Sequence, residues 1–197
     1  MTTYFLADPH FFHASPDKPD GIIRLCNRPF SSGREMLEVM SELWRATVRN
    51  PSSDDVIVLG DFANRAEPEP LQKLFDSLPG RKHLIRGNHD TEESGTLKLG
   101  WDSIRDLAFT TVESTKLVLC HYALRTWPGI RKSSTLHLYG HSHGRLPGNS
   151  QSMNIGVDVM GFAPVRLSAI KQRLAQLPPL VDPEVGGDDL ENDGVTP

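Results

Sequence analysis

Gly87-Asn88-His89-Asp90 follows the apolar run His83-Leu84-Ile85 and opens a polar loop. The pattern reads as a short buried strand that ends in an active-site corner. Asn88 offers an amide oxygen to a hard or borderline metal ion, His89 carries a proton near neutral pH, and Asp90 is suited to fixing the tautomer of that imidazole. Gly87 lets the backbone turn without a side chain in the way. A polar turn after a strand is common by itself, and four other segments give this one its meaning.

Asp8-Pro9-His10, Gly60-Asp61, His121 within Cys120-His121-Tyr122, and Gly140-His141-Ser142-His143 each follow an apolar run as well, at 4–7, 56–59, 117–120 and 136–139. In open α/β sheets ligands sit at the carboxyl ends of strands. Five strand ends that deliver Asp, His, Asn and Gly to one edge exceed what packing requires.

The intervening segments have a helical period. Ser32-Gly33-Arg34-Glu35 opens a helix with Met36, Leu37, Met40, Leu43, Trp44 and Val48 on one face, ended by Asn50-Pro51. A second helix is predicted over 68–78, with Leu71, Leu74, Phe75 and Leu78 at helical spacing and Pro79-Gly80 as its stop. Strand and helix thus alternate in the βαβ rhythm of the α/β class. From Trp101 onward strands dominate, at 104–107, 108–112, 153–157 and 165–167, before an amphipathic helix at 168–177. His83 and His137 lie inside apolar strand patterns and read as structural.

The 197 residues suit one domain over 1–177. The last twenty residues, 178–197, carry six acidic side chains and no basic ones, so the net charge of −4 leaves a nearly neutral body. The tail is expected to be mobile and dispensable for chemistry, because its apolar surface is too small to offset ordering entropy. A nearly neutral body disfavours, without excluding, a nucleic-acid partner. No apolar run approaches the roughly 18 residues of a membrane span, and the expectation is a chain with neither signal peptide nor membrane span. Cys26 and Cys120 form no disulfide framework and no zinc-type pair. A cytoplasmic setting is the expectation.

In order, the blocks Asp8-x-His10, Gly60-Asp61-x-x-Asn64-Arg65, Gly87-Asn88-His89-Asp90, His121 and Gly140-His141-x-His143 resemble those of the calcineurin-like metallophosphoesterases, in particular small bacterial and phage members. The resemblance runs from Asp8 to His143 and, less diagnostically, to Asp158. Asn64-Arg65-Ala66 stands where the protein phosphatases of the superfamily usually have Asp-Arg-Gly, which argues against that subtype. The resemblance implies a two-sheet β-sandwich flanked by helices and a centre of two divalent ions. Asp8, His10 and His143 would bind one ion, Asn88, His121 and His141 the other, and Asp61 would bridge them. Such ions sit roughly 3.5–4 Å apart and polarise an intervening hydroxide. Imidazole, carboxylate and amide donors without thiolate suit Mn, Fe or Zn, with Mn the expected assay metal. His89 would stay unligated near the phosphoryl oxygens, stabilising charge or donating a proton, with Asp90 holding it. Arg65 would either reach the phosphate or brace Asn64 and the bridging loop.

The substrate side is less sharply marked. His13, Arg24 and Arg28, the last in an Asn27-Arg28-Pro29-Phe30 stretch shared in appearance with some bacterial and phage relatives, are candidates for substrate phosphate against a solvated loop. Arg125 and Trp127 offer a cation and a stacking ring, although an aromatic beside Pro-Gly is often a loop anchor; Arg145 has the same ambiguity. Asp158 reads as a loop brace and Cys120 as an inert buried thiol. The expected activity is hydrolysis of phosphodiesters of small nucleotide-like substrates, with a phosphomonoesterase or nucleotide pyrophosphatase as the alternative. The contrasting class is a metal-site scaffold without turnover. The superfamily member of that kind lacks the histidine corresponding to His89, which is present here.

Overall fold

Alternation along β1 (Thr3–Leu6) sends Tyr4 and Leu6 to one face of a sheet and Phe5, with Ala7 just beyond the strand, to the other. The computed structural model, which describes residues 1–13, 21–64, 66–132 and 134–181, extends this two-sidedness through β2 (Asp55–Val58) and β3 (Arg81–Ile85). Val56, Val58 and Leu84 share the cluster of Tyr4 and Leu6, whereas Leu59 and Ile85 join that of Phe5. The first cluster is closed by α2 (Gly33–Thr47) through Met36, Met40 and Trp44 and by α3 (Pro68–Ser77) through Leu71, Leu74 and Phe75. Ser32 caps α2 by accepting from the Glu35 amide at 3.1 Å, and Pro68 begins α3, where its missing N–H costs nothing.

The other face of this sheet packs on a second sheet. Leu117 and Leu119 of β6 (Thr115–Cys120), Leu136 and Leu138 of β7 (Thr135–Tyr139), Met153 of β8 (Ser152–Asn154) and Ile170 of α5 (Leu167–Leu174) complete the core between them. With β4 (Ser103–Arg105), β5 (Leu107–Val112) and β9 (Val165–Arg166), the sheets are ordered β4-β3-β2-β1-β9 and β5-β6-β7-β8. Strands β1 to β4 run parallel, as do β6 to β8, while β9 and β5 are the antiparallel edges. Two mixed sheets flanked by helices are thus the architecture, and the carboxyl ends of β1, β2, β3, β6 and β7 meet at one edge.

Four details depart from the sequence reading. The expected strand over 104–107 is the end of β4, a crossing at Asp106 and the start of β5, which belong to different sheets. The expected strand over 153–157 stops at Asn154, because its side-chain oxygen accepts from the Gly156 amide at 2.7 Å and turns the chain into α4 (Val157–Met160). A short helix α1 (Ile22–Leu25) occupies a stretch left unassigned. The chain beyond 177 is held to the body at least to Leu180: Pro178 accepts from the Ser150 amide at 2.7 Å, and Leu180 packs on Val118, Trp127 and Ile130. Residues 182–197 of the expected mobile tail lie outside the described residues. Among the described residues no helix is long and apolar enough to cross a membrane.

Candidate active site

The ends of β1, β2 and β7 open with backbone that is not relaxed. Asp8, His10, Asp61, His141 and His143 all have φ between 48° and 64°, a left-handed region that costs a side-chain-bearing residue on the order of 1–3 kcal/mol. These are presumed ligands, and strain of this kind persists where the surroundings hold a side chain to a task. Gly60, at φ 84°, takes the same turn for steric reasons: a Cβ there would run into the His121 ring and come within 2.8 Å of the Gly87 Cα. A Cβ on Gly87 would collide with Asp61 in turn. The two glycines let three strand ends approach one another.

Donor atoms within 4.8 Å of one another group Asp8 with His10 and His143, and Asp61 with His121 and His141, the two sets the motif implies; His10 with Asp61 and His89, and Cys26 with His143 and Asp158, meet the same distance. Asp61 Oδ2 lies 3.4 Å from both His10 Nε2 and His121 Nε2, between the groups. The Asn88 amide oxygen is 3.2 Å from His121 Nε2 and 2.9 Å from His141 Nδ1. Burial pushes the Asp8 carboxyl up to about 6 and drives His10 well down. Burial also opposes charge on Asp61, but the His121 contact prevails and holds that carboxyl at about 2. Asp8 Oδ2 and His10 Nε2 are buried without a hydrogen-bond partner among the described residues, although His10 Nε2 faces Asp61 at 3.4 Å. Polar atoms buried without a hydrogen bond are costly, and both belong to residues of the first group. Carboxylate, imidazole and amide oxygens and nitrogens fit divalent Mn, Fe or Zn, so the residues fit the ions that the motif implies.

The ligands are oriented by partners behind them. His121 Nδ1 donates to the Leu59 carbonyl at 2.8 Å, which leaves Nε2 for the site. His143 Nδ1 lies 2.8 Å from Asp158; burial works against an imidazolium there, yet the Asp158 bond raises His143 to about 10. Asp158 also accepts Arg28 Nε at 2.8 Å and Nη2 at 2.9 Å, and Arg28 donates to the carbonyls of Asp8 and Pro9. Arg28 is therefore not placed on a substrate surface, as its sequence context suggested. It is 4 % exposed, and its donors are committed to the loop that carries Asp8 and His10. Arg28→Met should destabilise the fold by about 1–3 kcal/mol, because Asp158 keeps only His143 as a partner and the carbonyls of Asp8 and Pro9 lose their donor, measured by urea unfolding; a change under about 0.5 kcal/mol would show that the pair carries no such load.

Asp90 departs from its expected task in the same way. One oxygen accepts from the Asp61 and Gly87 amides at 2.7 and 2.9 Å, and the other from Phe62 at 3.0 Å. Its carboxylate thus positions the backbone of two strand ends and does not hold the His89 imidazole. His89 is half-buried, donates its amide to Asp61 Oδ1 at 2.9 Å, and has its ring 5.1 Å from that of His10 and 5.7 Å from that of His13. His13 Nδ1 is 3.2 Å from His10 Nδ1. Arg125 is exposed on the loop after His121, and Arg65 lies outside the described residues. Trp127 is a loop anchor, 6 % exposed in the cluster with Val118 and Ile130. His137 and His83 are structural: the first accepts the Leu124 amide at 2.9 Å, and the second bridges Ser103 and Asp55.

Sequence reasoning missed two contributors. Asn154 joins the Gly140 carbonyl and Ser142 at one end to Gly156 at the other, and Tyr122 packs its ring on His121 and His141. The first had only its place in Asn154-Ile155-Gly156-Val157-Asp158 as a signal; the second had its adjacency to His121.

Comparison with known proteins agrees with the geometry. A family model described as calcineurin-like phosphoesterase matches residues 1–166. An uncharacterised protein of Methanocaldococcus jannaschii is 29 % identical over 180 residues, covering 85 % of this chain and 88 % of its own. A solved structure of a protein of unknown function from Aquifex aeolicus has the same fold at a TM-score of 0.64 and 23 % identity, over 87 % of this chain and 98 % of that one. A phosphoesterase from E. coli is similar at 19 % identity and a TM-score of 0.40, over 79 % of this chain and 78 % of its own. The chain belongs to the calcineurin-like phosphoesterase family and is a hydrolase that acts on phosphoester bonds.

Proposed function

We propose that this hydrolase cleaves phosphodiesters of small nucleotide-like substrates with a pair of divalent ions, Mn first among them. Asp8, His10 and His143 would hold one ion, Asn88, His121 and His141 the other, and Asp61 both. The observation that carries this reading is Asp61 Oδ2 at 3.4 Å from His10 Nε2 and His121 Nε2, one of each group, with Asp8 Oδ2 buried and without a hydrogen-bond partner. When bound, such a pair polarises phosphoryl oxygens and makes a nucleophilic oxygen accessible at neutral pH.

The chain's own residues do the rest. The strained turns and the Arg28–Asp158 pair fix the donors before substrate arrives, which lowers reorganisation at the moment of reaction. His89 stands beside the His10 group, where it would give a proton to the departing oxygen. Asn88 and His141 are exposed, so the centre opens to solvent, and an open centre accepts a phosphate with substituents on both sides. Bis(para-nitrophenyl) phosphate and para-nitrophenyl phosphate, offered to metal-stripped protein with and without Mn, test the reading. Diester turnover that requires Mn is expected. A preference for the monoester would make the protein a phosphomonoesterase, and turnover unaffected by metal would overturn the reading.

A further inference from the structure

Tyr122 is a large aromatic residue placed at the site and left in contact with solvent. It is 45 % exposed, whereas Trp127, the other aromatic of this loop with a claim on substrate, is buried against Val118 and Ile130. The Tyr122 ring stands edge-on to His121, with centroids 5.0 Å apart at 78°, and to His141, 4.8 Å apart at 64°. His121 and His141 belong to the group completed by Asn88. His89 and His13 cluster instead around His10 of the other group. The site is thus polar and imidazole-lined at the His10 end and bounded by a tyrosine ring at the His141 end.

Bracing of the ligands does not account for that ring. His121 is already fixed by the Leu59 carbonyl at 2.8 Å, and the His141 backbone by its amide, which donates to Asp8 Oδ1 at 2.8 Å. An exposed aromatic surface beside ligands that are otherwise oriented is suited to a flat partner. Stacking of a base on an aromatic side chain is worth ~1–3 kcal/mol and tolerates any base, because every base has a π-face.

We infer that Tyr122 is a specificity-determining platform on which the nucleobase of a nucleotide ester stacks while its phosphate sits between the two ligand groups. This rests on the reading of the centre as a phosphodiesterase for small nucleotide-like substrates, and it adds the part of the substrate that is recognised. The hydroxyl is not needed for stacking, so Phe should replace Tyr122 and Ala should not.

The test is calorimetric binding of adenosine monophosphate and of inorganic phosphate to Mn-loaded wild type, Tyr122→Phe and Tyr122→Ala, with metal content measured in each. Tyr122→Ala should weaken adenosine monophosphate about tenfold and leave phosphate affinity and metal content unchanged, while Tyr122→Phe stays within about twofold of wild type. Equal weakening of both ligands, or lost metal, would make Tyr122 a brace and overturn the inference. Loss in Tyr122→Phe would assign the effect to the hydroxyl and also overturn it, as would unchanged adenosine monophosphate binding in Tyr122→Ala. Binding is read without turnover, so a wild type that cleaves no diester would sink the proposed activity while these affinities still decide the role of Tyr122.

Discussion

Asp61→Ala should lose both divalent ions and on the order of 10⁴-fold in turnover, about 5.5 kcal/mol of transition-state stabilisation. Among the described residues it is the carboxylate at 3.4 Å from an imidazole nitrogen of each group. Its Oδ2 stands 3.4 Å from His10 Nε2 and from His121 Nε2, and its Oδ1 accepts the His89 amide at 2.9 Å. Truncation would take away the carboxylate shared by His10 and His121 and release the backbone that carries His89. The isosteric Asp61→Asn separates these effects. It retains shape and can accept from the His89 amide, so the fold and its melting temperature should survive, but the shared negative charge is gone and metal content should fall as in Ala. Elemental analysis of dialysed protein and turnover of bis(para-nitrophenyl) phosphate are the readouts. A variant that retains both ions and activity within about tenfold would remove Asp61 from the centre of the argument.

The strand ends and the convergence of the Asp, His and Asn side chains that follow them were legible in the sequence because each signal is local. A buried run followed by Asp-x-His, Gly-Asp, Gly-Asn-His or His-x-His records the side chain and its strand in adjacent positions. Gly60 and Gly87 were legible as turns, although the sequence says nothing of the His121 ring and Asp61 carboxylate that forbid them a Cβ. What stayed hidden depends on separation. Arg28 and Asp158 are 130 positions apart, so a guanidinium beside Asn27 and Pro29 read as a ligand for phosphate when it is a clamp for the Asp8 loop. Asp90 shows the other limit: adjacency to His89 suggested an imidazole partner, yet three backbone amides nearer in space take its oxygens. The left-handed turns at Asp8, His10, Asp61, His141 and His143 leave no mark in composition, since none is glycine. Two strands were expected at 104–107 and 108–112, but their break at Asp106 and their assignment to different sheets depend on pairing with distant strands.

The misreading of Asp90 also sharpens what His89 must do. With the Asp90 carboxylate on backbone amides, the imidazole is held by its main chain, through the amide bond to Asp61, and by its His10 and His13 neighbours. His89→Ala preserves that amide and all the presumed ligands, so both ions should remain bound while kcat falls by about 10²–10⁴-fold, the range of general acid catalysis. The size of the loss should depend on the departing group. Para-nitrophenolate leaves readily without a proton, whereas an alkoxide needs one as the bond to phosphorus breaks. If His89 is the acid, the alanine variant loses the most on an alkyl ester and the least on the nitrophenyl ester. If it only stabilises charge on the non-bridging oxygens, the two substrates slow by the same factor. Rates on both esters, at fixed Mn and with metal content confirmed, decide between these roles; full activity on the alkyl ester would exclude His89 from the reaction.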